Sequence, residues 1–157
     1  MNNKKLIFIY ILLSISCIFA FIFAFNQELK PINENNIDQF KVFYDYLKDP
    51  FNIFVIKVFS HNFLLNLVQA LLTMVSFGYL GIIFLFNNFY TYGFVFKITN
   101  NPFLFLEMLG TIFFIFSSTW ISYNLKKVKT NKILIFLLIC SLIFLIAAIL
   151  EGRYIYK

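Results

Sequence analysis

Charge is scarce in this chain. Asp, Glu, Lys and Arg make up 13% of its 157 residues, about half the share usual in soluble domains, where roughly a quarter of residues are charged. Histidine is scarcer still. His61 stands alone, which excludes zinc chemistry of the HExxH type and leaves an interfacial hydrogen-bonding residue as its reading. The two cysteines, Cys17 and Cys140, lie in separate apolar runs far from His61, so they support no metal site, disulfide framework or redox motif. Cys17 follows Ser14-Ile15-Ser16, a poor lipobox because the position three before the cysteine is polar; a small buried apolar side chain is the simpler reading. GxSxG turns, Walker-type loops and paired aspartates within an apolar run are also missing. No catalytic constellation remains, so neither an enzyme nor a cofactor is expected. With no internal repeat or Ser/Gly-rich linker, residues 1–157 count as one domain.

What fills the chain is apolar: 61% of residues are hydrophobic and 22% aromatic. Four long stretches, residues 6–25, 63–86, 103–123 and 133–150, contain a single acid, Glu107. A hydrocarbon core about 30 Å thick takes roughly 20 apolar residues at 1.5 Å each, and these stretches are of that order. The bilayer is therefore the solvent. The expected class is an all-α integral membrane protein. At the amino terminus Lys4 and Lys5 precede a run too long for a cleaved signal, and small residues do not occupy both cleavage positions around Ala20 and Ala24; an uncleaved first span is expected. The net charge of +6 reads as topology determinants and contacts to anionic lipid headgroups. Membrane lipids and other membrane proteins are the expected partners, and nucleic acid is not.

Orientation makes an arithmetic demand. The short segment between the last two stretches carries Lys126, Lys127, Lys129 and Lys132 without an acid, which places it in the cytoplasm and the carboxyl terminus outside. If Lys4 and Lys5 also hold the amino terminus inside, the number of crossings must be odd. A fifth segment is then needed, and residues 89–98, after Asn87 and Asn88, are apolar but short. The preferred expectation is four long transmembrane helices plus a short or re-entrant fifth segment, made by a break in the second helix at the Asn pair, with residues 26–61 as an external loop. The alternative keeps four spans and an external amino terminus. Near the end of that loop, Phe51 to Phe59 surround Lys57 in a pattern that suits a helix lying in the interface or entering the membrane, and Pro50 suits its start.

Polar residues interrupt the apolar helices in a pattern. Asn62, Asn66, Gln69, Thr73 and Ser76 recur at steps of four, three, four and three, one face of a helix. Glu107, Thr111, Ser118 and Ser122 form a second stripe beside Gly110. Polar groups in hydrocarbon are costly unless bonded, so the two stripes are expected to face each other. An ionised carboxylate at the bilayer centre costs roughly 2.5 to 3.5 kcal/mol on insertion scales. Glu107, near its helix start, is read first as bonded to the Asn and Gln stripe there and helped by the helix dipole, with ion or proton handling and partner binding as alternatives.

These residues also carry a resemblance. The run Asn66-Leu-Val-Gln-Ala-Leu-Leu, then Gly78 and Gly81, Leu85-Phe86-Asn87-Asn88 with Gly93, and Pro102 with Glu107 resemble the stage II sporulation protein M family over about residues 52–123. In that family an Asn opens an apolar helix, an Asn-Gly precedes a further Gly, and His-Gly-x-x-Glu opens the next span. Asn66, Asn87 or Asn88, Gly93 and Glu107 would take the matching places. Phe103 and Leu104 stand where the motif has His and Gly, so a mechanism using that His could not operate here. Asn88 or Phe89 stands where the Gly after the Asn belongs. The resemblance implies a non-enzymatic multi-pass protein of the bacterial cell membrane. Its expected role is that of a scaffold or accessory subunit, in sporulation and engulfment beside wall hydrolases, or beside ABC transporter subunits in bacteriocin transport and immunity. A small transporter or permease subunit with Glu107 in a polar site is the rival expectation.

Overall fold

The structure, a computed structural model, describes residues 3–26, 46, 48–99 and 101–156. Five long helices account for nearly all of them: α1 (Asn3–Asn26), α2 (Phe51–Val75), α3 (Tyr79–Thr99), α4 (Leu104–Tyr123) and α5 (Thr130–Ile155), with a 3-10 turn at Leu125–Lys127 before α5. No strand occurs among the described residues. Each of the five is long and apolar enough to cross a membrane.

The helix boundaries correct the sequence reading in the middle of the chain. Instead of a span over 63–86 followed by a short piece over 89–98, α2 begins at Phe51, directly after the extended Pro50, and stops at Val75. The break falls at Ser76–Gly78, and α3 runs unbroken through Asn87 and Asn88 to Thr99. Two residues make the turn by entering the left-handed region, Phe77 at φ 54° and Gly78 at φ 93°. Glycine takes that conformation freely, whereas Phe77 is held there by its neighbours. The Gly78 N–H closes on the Thr73 carbonyl at 2.9 Å, and the Ser76 hydroxyl accepts the Leu80 N–H at 3.0 Å, capping α3. The Asn pair does not break the helix because Asn88 finds its partner on another helix. The loop after α1 accordingly ends at Pro50, not at residue 61; the helix expected over Phe51 to Phe59 is the first part of α2, and residues 27–45 of the loop lie outside the described residues. α5 extends the expected 133–150 at both ends.

Neighbouring contacts fix the direction of each helix. Ile9 of α1 meets the Gly78 turn, as does Thr119 near the end of α4, and the rings of Phe77 and Tyr123 lie 5.8 Å apart. At the opposite end Lys97 of α3 donates to the Phe25 carbonyl of α1 at 3.0 Å, Phe96 meets Phe105 at 5.3 Å, and Tyr156 after α5 donates to the Asp49 carbonyl before α2. So α1, α3 and α5 run one way and α2 and α4 the other. α4 is the centre: 56% of its most apolar window is buried, against 22–28% for the others. On one side of it Ile9, Leu13, Leu85 and Phe89 join α1 and α3 to Met108 and Ile115. On the other, Ala70, Phe114, Cys140 and Phe144 join α2 and α5. The outer faces are greasy, with Ile18, Phe19, Ile56 and Leu134 exposed.

This arrangement sorts the charges. Lys4 and Lys5 start α1 at the same end as Lys126, Lys127, Lys129 and Lys132, which flank the α4–α5 connection. No acid among the described residues is there: Asp49, Glu107 and Glu151 lie towards the other end.

Candidate functional site: a buried polar network around α4

The α2 stripe faces inward. Asn66, Gln69 and Thr73 are buried, and each polar group has a definite address. Asn62 donates its side-chain N–H to Glu107 Oε1 at 2.5 Å, joining α2 to the first turn of α4. Asn66 donates back to the Asn62 carbonyl at 2.8 Å. Gln69 and Asn88 pair amide to amide across α2 and α3, at 2.7 and 3.4 Å. Thr73 returns its hydroxyl to the Gln69 carbonyl at 2.7 Å. One atom is left over: Asn66 Oδ1 is buried without a hydrogen-bond partner.

On α4 the stripe divides in two. Its lower half reaches other helices, with Glu107 on Asn62 and the Thr111 hydroxyl 3.2 Å from the Tyr92 hydroxyl of α3. Its upper half bonds its own backbone: Ser118 to Phe114, Thr119 to Ile115 and Ser122 to Thr119. The two stripes thus meet at Asn62 and Glu107, while Gln69 pairs with α3 instead. Gly81 brings α3 close to both, since a Cβ there would lie 2.8 Å from Ile115 and 2.9 Å from Thr73. Gly93 does the same against α1, where a Cβ would meet Ala24 at 3.0 Å. Gly78 belongs to the turn described above.

Three participants were not legible as such in sequence. Glu151 of α5 is buried. It accepts a hydrogen bond from Asn101 at 3.2 Å, and Asn101 Oδ1 in turn accepts the Phe103 N–H at 3.0 Å, shaping the entry to α4. Tyr92 is the third. A signal for Glu151 existed: Cys140, Phe144, Ala147, Ala148 and Glu151 are all buried at helical spacing, but Glu151 falls one residue past the last apolar run. Each of two buried carboxyl groups is thus met by an amide, Glu107 by Asn62 in the middle of α2 and Glu151 near the end of α5 by Asn101.

Asn87 is the exception among the named polar residues. It is exposed, no described residue bonds its amide, and its carbonyl accepts only the exposed Thr91 hydroxyl besides the helix's own bonds. Its surroundings are the exposed Ile83 and Phe86. His61 is also exposed, and both cysteines are free and buried in different clusters. Among the described residues no group of three or more His, Cys, Asp or Glu side chains is placed to hold a metal ion. Compared with known proteins, the chain matches no family model, no curated protein and no solved structure.

Proposed function

We propose that this is a non-enzymatic membrane protein crossing the bilayer five times, amino terminus in the cytoplasm and carboxyl terminus outside, that serves as a scaffold or accessory subunit of a membrane complex. The observation that carries the reading is Asn87. It is the ninth residue of the 21-residue α3, about 12 Å from the helix start at 1.5 Å per residue. An amide at that depth facing hydrocarbon is unfavourable unless another transmembrane helix takes its hydrogen bonds. Asn62, Gln69 and Asn88 reach partners on other helices, and the exposed Asn26, Asn52 and Asn131 sit at helix ends, so Asn87, facing outward in mid-helix, is the place for a neighbouring helix. The residues behind the resemblance to stage II sporulation protein M support the same role: Asn66, Gly81, Asn88, Gly93 and Glu107 lie where helices meet.

The orientation follows from the lysines. Six of them gather at one end with no acid among the described residues beside them, the pattern of a cytoplasmic face. A cysteine placed at Tyr154 should be labelled from outside whole cells and one at Lys127 should not; the reverse pattern would refute the orientation. Purification of the tagged full chain in mild detergent tests the role. Recovery of a wall hydrolase would identify a morphogenetic complex, an ABC ATPase a peptide-export or immunity complex, and a monomer free of any membrane partner would contradict the proposal.

A second reading has its own support. Glu107 and Glu151 are both buried, and the orphan oxygen of Asn66 belongs to the turn that bonds Asn62, the partner of Glu107. Buried unsatisfied acceptors mark places where an ion or water is bound, as a small transporter subunit would require. Glu107→Gln keeps shape and hydrogen bonding while removing charge. Loss of function in Glu107→Gln at normal membrane levels would favour this reading; loss in Glu107→Leu alone would favour the scaffold.

A further inference from the structure

Between α4 and α5, towards the lysine-rich end, an outward-opening groove of about 190 Å³ is lined by Phe113, Ser117, Trp120, Lys132, Phe136 and Ile139, among others. Its walls are apolar along most of their length, with the rings of Phe113 and Phe136 5.5 Å apart. Its mouth is polar and cationic. Lys132 is exposed there, in the first turn of α5, where a positive side chain is disfavoured by the helix dipole and an anion is welcome. Lys127 and Lys129 precede it in the connection from α4, and no acid among the described residues lies at this end to compete. A larger groove between α1 and α4, lined by Ser14, Cys17, Phe21 and Met108, carries no cation at all.

We propose that the α4–α5 groove is a seat for an anionic phospholipid. The phosphate sits against Lys132, the Trp120 indole lies at the headgroup boundary, and an acyl chain follows Phe113, Phe136 and Ile139. This matches the chemistry of basic pockets between transmembrane helices, which hold acidic headgroups, and of interfacial tryptophan. It rests on the reading that these helices lie in a bilayer.

Trp120 is the chain's only tryptophan, so its fluorescence reports this groove alone. The test reconstitutes the full chain in phosphatidylcholine vesicles and titrates brominated phosphatidylglycerol or brominated phosphatidylcholine as quencher. The expected result is a preference of about fivefold for the anionic lipid, the size of one lysine's attraction to an acidic surface. Lys132→Gln should abolish it, and Lys4→Gln with Lys5→Gln should leave it intact. Equal quenching by both lipids, or a preference that survives Lys132→Gln, would overturn the proposal. Loss of the preference on adding inorganic phosphate would also overturn it, by assigning the mouth to a soluble anion. Quenching by neither lipid would refute the membrane placement itself, a distinct outcome.

Discussion

Asn87 and Asn88 are adjacent on one helix and live in opposite environments. A helix turns about 100° per residue, so one of the pair faces α2 while the other faces away from the protein. Asn88 closes a two-way amide pair with Gln69; no described residue bonds the side-chain amide of Asn87. The interior region, from Gln69 and Asn88 through Asn62 and Glu107 to Asn101 and Glu151, meets most of its hydrogen-bonding needs within the chain. The outer face of α3 does not. The comparison separates polar groups that hold helices of this chain together from a polar group that no described residue satisfies.

The largest effect should come from breaking the interior. Gln69→Leu leaves both functions of the Asn88 amide unpaired, and should lower stability by about 1 to 3 kcal/mol, the usual cost of an orphaned interior polar group, or nearer 1 if lipid-exposed alternatives soften it. Removing both partners together is the sharper experiment. The double variant Gln69→Leu with Asn88→Leu should be more stable than the single Gln69→Leu in reversible unfolding in mixed micelles, since no donor or acceptor is stranded. Simple addition of two losses would show that the pair is not a closed unit.

A smaller effect is expected at Glu107. Replacement by Leu strands the half-buried Asn62 amide and should cost about 1 to 2 kcal/mol, whereas Gln still accepts its hydrogen bond and should cost under about 1 kcal/mol. Equal losses in both would mean that the charge, rather than the hydrogen bond, matters to the fold. The smallest change in stability belongs to Asn87→Leu, within about 0.5 kcal/mol, as for a surface substitution that breaks no internal contact. A large loss there would erase the distinction between the two faces.

The sequence reading succeeded where a single helix sufficed. The runs that became α1, α4 and α5 and the stripe from Asn62 to Ser76 needed only composition and helical period, and both were legible. The α2–α3 boundary was not, because Phe77 continues the apolar pattern through the turn while the conspicuous polar pair, Asn87 and Asn88, lies in mid-helix. Misplacing that turn hid the register of α2 against α3, and with it the Gln69–Asn88 pair. The start of α2 was legible in part: Pro50 and the apolar residues around Lys57 signalled a helix there, but Lys57, His61 and Asn62 kept it apart from the span that follows, which it joins by packing Phe54, Val55 and Val58 on Ala148 of α5. Glu151 was missed because an apolar run ends at its first acid while a helix need not. Long-range pairing is what one sequence conceals.

The central claim, that the inner amides hold the fold and the outer one recruits a neighbour, is tested most directly by the size of the native assembly. Membranes carrying the wild-type chain or Asn87→Leu are solubilised in mild detergent and resolved by native electrophoresis. Wild type should migrate as a complex larger than the monomer, and Asn87→Leu should fall to the monomer at unchanged membrane level and thermal stability. Identical mobility of the two proteins, whether both large or both monomeric, would contradict it.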